Sequence, residues 1–181
     1  MSESEANAEQ LRETIIEQSF TAMGLSETGF ARKLLRPVFR LPAGRFSHLA
    51  AGFDQSVTEV GLCETSRRYL PAFSERSEVR GVENIPAEGP LLIVSNHPGA
   101  VDGFVIASNL PRCDLKIVIS GVPFVRAIPS VEGYLIYLDH ELHQRMTVVR
   151  AMIRHLSQGG MLLIYPSGRV DPDPEFVPGA R

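Results

Sequence analysis

The sequence is poor in cysteine: Cys63 and Cys113 are the only two, far apart and outside any C-x-x-C pattern. It has no apolar N-terminal stretch of the kind that makes a signal peptide. Together these point to a reducing, cytoplasmic setting. No window approaches the ~18 uninterrupted apolar residues that a membrane span needs. Any meeting with a membrane is therefore expected at its surface, peripherally on the inner face. Positive charge is not in excess either. The net charge of −3 speaks against a generally basic nucleic-acid-binding surface, and no nucleic acid is expected as a partner. There is no internal repeat and no low-complexity segment.

What is present is 181 residues, 44% of them hydrophobic, enough for one sizeable core or a core with a helical appendage. Charge is unevenly spread. Residues 1–27 carry six glutamates and one arginine, whereas 28–53 carry no acid but Arg32, Lys33, Arg36, Arg40 and Arg45. Residues 1–78 read as a helical region. A polar helix is expected over 6–23, with Leu11, Ile15, Ile16 and Phe20 on one stripe. A second covers 30–36, ending before Pro37. A third runs from about 45 to 70, with Gly61 as a possible break.

The pattern changes at Val79. Short apolar runs at 91–95, 115–120, 134–138 and 161–165 alternate with helical patterns at 102–110 and 142–157. The last helix offers Met146, Val149, Ile153 and Leu156 as a core stripe. Strands apolar on both faces and joined by helices predict an α/β fold, a largely parallel sheet with helices on both faces, over 79–181. The chain ends at Arg181 in a Pro/Gly-rich loop straight after an apolar strand, with no capping element. A central strand left at a sheet edge would be a liability, so the chain is expected to be C-terminally incomplete.

The stretch LLIVSNHPGAVDGF places a histidine directly after a strand and an aspartate five positions later. In a regular helix those two would point apart, since five residues rotate through about 500°. They meet only if His97 lies in the loop before the helix and Asp102 in its first turns. Asn96 or His97 is expected at the N-cap, with Pro98 at the first helical position. Small residues at 99, 100 and 103 keep space open above the histidine. A carboxylate on one imidazole nitrogen fixes the tautomer and makes the other nitrogen a better base. The plain alternative is an Asn-His-Pro turn that merely caps a helix.

The longer run VRGVENIPAEGPLLIVSNHPGAVDGF resembles the glycerolipid acyltransferase superfamily, which includes the lysophosphatidate and glycerol-phosphate acyltransferases and carries an Asn-His-x4-Asp signature. MLLIYPSGR resembles the family's Phe-Pro-Glu-Gly-Thr-Arg motif, and Phe176 with Pro178-Gly179-Ala180 resembles the segment that usually comes after that motif. The resemblance implies His97 as general base on an acceptor hydroxyl, oriented by Asp102, with the hydroxyl attacking an acyl thioester directly. It also implies Asn96, Gly99, Ser167, Gly168 and Arg169 on the substrate side. Co-substrates would be acyl-CoA or acyl-carrier protein and a glycerolipid-type acceptor, with no cofactor. Two departures bear on the acceptor. The family's glutamate is replaced by Ser167, with arginine one place early at Arg169. The strand at 133–138 ends in Asp139, where the family has an arginine.

Other features have competing explanations. Asp139, His140, Glu141 and His143 match no strong zinc spacing and suit a solvated helix start better. Ser167 suits a tight turn better than a nucleophile, and there is no G-x-S-x-G elbow. The segment ARKLLRPVFRLPAGRF, spanning Arg32–Arg45, either lies on an anionic bilayer or packs its apolar side chains inward. The rivals to acyl transfer are a thioesterase on the same fold and a non-catalytic module that binds lipid or acyl carrier.

Overall fold

The computed structural model describes residues 3–25, 29–99, 101–120, 123–138 and 142–171. Asp139, His140 and Glu141, which belong to the cluster considered above for metal binding, and Phe176 with Pro178-Gly179-Ala180 lie outside them. The chain divides into two compact units, one drawn from residues 1–59 and 122–130, the other from 60–121 and 131–181.

The first unit is helical. Helix α1 (Glu3–Ala22) and helix α2 (Phe30–Val60) bury Ile16, Phe20 and Ala43 between them, with Ile15, Leu25, Leu35 and Phe39 packed around. Phe20 and Phe39 meet edge to face, centroids 5.3 Å apart. Arg32 pairs with Glu17, and Arg36 with Glu13 and Glu17. The acid-rich first helix and the acid-free start of the second thus neutralise each other. Contrary to the expected stop before Pro37, α2 runs on through Pro37 and Pro42. The carbonyls those prolines leave without a helical donor belong to Lys33 and Val38, both exposed residues, where solvent access lowers the cost. On the side of α2 away from α1, Phe30, Leu34, Val38 and Leu41 stand 79%, 66%, 67% and 77% exposed. Short helix α5 (Pro123–Arg126) sets Phe124 against Phe46, and Ser130 donates to the Asp54 carboxylate.

The second unit is α/β. Gly61, at φ +82°, breaks the helical run as expected and starts helix α3 (Leu62–Tyr69). Strands β1 (Leu91–Val94), β2 (Leu115–Ser120), β3 (Leu135–Leu138) and β4 (Met161–Ile164) form one all-parallel sheet in the order β1-β4-β2-β3. The last strand is a central one, lying between β1 and β2. Helix α6 (Leu142–Ser157) covers one face, burying Val148 against Ile136 and Leu162, with Val118, Met152 and Leu156 alongside. This corrects the expected stripe. Met146, Val149 and Ile153 are exposed, because the neighbouring apolar row, not theirs, meets the sheet.

Helix α4 (Asp102–Asn109) lies on the other face, with Gly103 over Ile117. Helix α3 packs along α4. Arg67 of α3 donates to the carbonyls of Ser108 and Leu110, satisfying acceptors that the end of α4 leaves open. Among the described residues no helix is long and apolar enough to cross a membrane.

Candidate active site

Both loops that build the site leave the carboxyl ends of adjacent strands, where open α/β sheets form their sites. Val94 of β1 is in register with Ile164 of β4, and Ser95 N–H still donates to the Ile164 carbonyl at 3.2 Å. Beyond that bond the chains part into loops that hold 95–99 and 165–171. Helix α4 begins only at Asp102, with Val101 at its N-cap. Asn96, His97 and Pro98 are thus loop residues, not the cap and first helical position expected of them. The bulky β-branched Val101 offers no capping oxygen, and among the described residues no side chain caps this end.

The loop brings His97 and Asp102 together. Nδ1 of His97 lies 2.8 Å from Oδ2 of Asp102. An ionised carboxylate only accepts, so Nδ1 carries the proton and donates it, leaving the lone pair on Nε2. Asp102 Oδ2 also accepts the Gly99 N–H at 2.9 Å, and its position at the first turn of α4 suits a negative charge. The imidazole and carboxylate side chains are 25% and 16% exposed, shielded yet reachable. Gly99 therefore serves the carboxylate through its amide. Asn96 beside it is exposed.

The second loop supplies two contacts that the sequence did not announce. Tyr165, the first residue after β4, stacks its ring on His97, with centroids 4.3 Å apart and planes 22° from parallel. Its buried hydroxyl has no hydrogen-bond partner among the described residues. Burial first, then the charge of Asp102, push this phenol well above its ordinary range, so it stays neutral. Asp171 brackets the backbone of His97. Its Oδ2 accepts the His97 N–H at 2.7 Å, and its own N–H donates to the His97 carbonyl at 2.7 Å. The Asp171 carboxyl is held below the usual carboxylate range, first by the His97 N–H, with help from the charge of Arg169. An aromatic at the motif's first position and an acid just beyond its arginine were the only signals available for these two residues.

Between them lies a tight turn. Gly168, at φ +64°, donates its N–H to the Tyr165 carbonyl at 3.0 Å, a conformation that favours glycine. Ser167 spends its hydroxyl on the Arg169 carbonyl at 2.8 Å, within the turn. Arg169 is exposed at the rim. No group of three or more His, Cys, Asp or Glu among the described residues is placed to hold a metal ion.

A family model described as Acyltransferase matches residues 76–181. No curated protein and no solved structure matches the chain.

Proposed function

The chain belongs to the acyltransferase family, and on that premise we propose that it moves a fatty acyl group from a thioester, acyl-CoA or acyl-carrier protein, to a hydroxyl of a glycerol-phosphate or lysophospholipid-type acceptor. Family membership itself implies an acyl donor and a lipid acceptor in general. The observation that carries the finer reading is the 2.8 Å contact of His97 Nδ1 with Asp102, which leaves Nε2 as the basic nitrogen.

In this mechanism Nε2 takes the proton of the acceptor hydroxyl as its oxygen attacks the thioester carbonyl. Asp102 holds the ring and stabilises the imidazolium that forms. The tetrahedral intermediate collapses with loss of the thiolate, which recovers the proton from Nε2. An ester and a free thiol result, and no acyl-enzyme is needed. Arg169 and the Ser167-Gly168 turn would line the acceptor side, where a guanidinium suits a phosphate. Ser167 in place of the family's glutamate leaves that side with one acid fewer, so the acceptor need not be glycerol 3-phosphate.

The apolar row Phe30, Leu34, Val38 and Leu41 extends the proposal to an anionic membrane surface. Arg32 and Arg36 of the basic segment are taken by glutamates of α1. Lys33, Arg40 and Arg45 are the exposed cations left for lipid headgroups.

The test is acyl transfer followed by mass spectrometry. Both donors would be offered with glycerol 3-phosphate, lysophosphatidate, other lysolipids and plain alcohols, beside His97→Ala. Loss of the base should lower the rate roughly 10²–10⁴-fold. An acylated product that disappears in the variant names the acceptor. Equal product from the variant overturns the role of His97, and free acid without acceptor points to hydrolysis instead.

A further inference from the structure

His97 belongs to neither of the elements that flank it. It lies three residues beyond the end of β1 and five before the start of α4, so neither the strand ladder nor the helix fixes its backbone. A base that must meet a hydroxyl at hydrogen-bond distance needs a fixed origin, and a displacement near 1 Å can cost about 100-fold in rate.

We infer that Asp171 is a positioning residue for His97: it locks the peptide of the base from the far side of the site, an inference that rests on the acyl-transfer reading above. A single residue 74 positions away engages both backbone polar groups of the histidine, N–H and C=O, at 2.7 Å each. The acceptor in the first bond is a carboxylate, and bonds to an ionised acceptor are the shorter and stronger kind. The loop that carries Asp171 is itself closed by the Gly168–Tyr165 turn bond and by the Ser167 hydroxyl. Because the same loop stacks Tyr165 on the imidazole, one segment holds the histidine by ring and by backbone, while Asp102 sets its rotation about the ring. Asp171 touches no reacting atom. It acts through the placement of Nε2.

The test compares Asp171→Ala and Asp171→Asn with wild type and with His97→Ala. Asparagine keeps an oxygen that can accept the His97 N–H and keeps its own N–H; alanine keeps only the N–H. Asp171→Ala should lower kcat about 10–100-fold with KM for both substrates within about 3-fold, and Asp171→Asn should recover most of that loss. Hydrogen exchange at the His97 amide, read without substrate, should be slow in wild type and in Asp171→Asn and fast in Asp171→Ala. The inference is overturned if Asp171→Ala keeps kcat within about 2-fold of wild type, or if its His97 amide stays protected. It is equally overturned if both variants lose activity only in step with a fall in the unfolding midpoint. A wild type without turnover, or a His97→Ala variant with it, instead overturns the acyl-transfer reading. That failure is visible in controls that do not involve Asp171.

Discussion

The ring of Tyr165 lies 4.3 Å from that of His97, while its hydroxyl, buried in the same place, finds no hydrogen-bond partner among the described residues. The two halves of this side chain therefore have different worth. Stacking holds the imidazole in plane, and an aromatic pair contributes about 0.5–1.5 kcal/mol beyond its burial. A buried hydroxyl without a partner costs about 1–3 kcal/mol. Tyr165→Phe should accordingly leave stability to urea unchanged or raise it by up to about 1 kcal/mol. Tyr165→Ala removes the ring and should lower stability by about 2 kcal/mol. A loss above about 1 kcal/mol in Tyr165→Phe would show that the hydroxyl has a partner after all.

At the scale of elements, α3 is joined to the segment entering β2 by Cys63, which is buried and donates to the Arg112 carbonyl while lying beside Cys113. Burial, then the neighbouring Cys113, push the Cys63 thiol from its ordinary 9.0 up to about 12. Between those two values the folded chain keeps a proton that the unfolded chain releases. The contribution of this group to stability is full below about pH 9 and is lost as pH rises toward 12. The urea midpoint should thus fall more between about pH 8 and about pH 10.5 in wild type than in Cys63→Ala. Equal falls in both would show that the thiol is not held protonated.

The strands at 115–120 and 161–164, α6 and the Gly61 break were legible, because apolar runs and helix-ending glycines are local signals. Which face of α6 meets the sheet was not. Its two apolar rows, one with Met146, Val149 and Ile153, the other with Val148, Met152 and Leu156, are equally periodic, and only the strands choose between them. The continuation of α2 through Pro37 and Pro42 was missed because a proline's cost depends on whether water reaches the orphaned carbonyl. The contact of His97 with Asp102 was foreseeable, since both flank one strand-loop-helix junction. Tyr165 and Asp171 were not, because their approach depends on β1 and β4 being neighbours, and strand order leaves no trace in local pattern.

For the whole molecule, the exposed row on α2 makes a measurable claim. Each basic residue near an anionic surface is worth about 1 kcal/mol, so Lys33→Glu and Arg40→Glu should each weaken binding to phosphatidylglycerol vesicles about 5-fold or more. Leu34→Ser and Leu41→Ser should weaken it on phosphatidylglycerol whatever the salt, as loss of apolar insertion would. All four side chains are exposed, so folding should be untouched. Sedimentation with phosphatidylglycerol and with phosphatidylcholine vesicles checks this. Wild type that ignores both lipids sinks the proposed surface.

The position of β4 has a consequence in time as well as in space. Among the described residues β1 pairs only with β4, and β2 reaches β1 only across it. A nascent chain that has emerged as far as α6 can zip β2 to β3, but its first strand has nothing to pair with. β1 waits for 161–164, a pairing of high sequence separation of the kind that slows folding. Residues 165 and 171 come within one further loop. The pairing of β1 with β4 and the bonds of Asp171 to His97 therefore wait on the same stretch of chain, so a nascent chain that stops before Asp171 lacks the backbone clasp on its base.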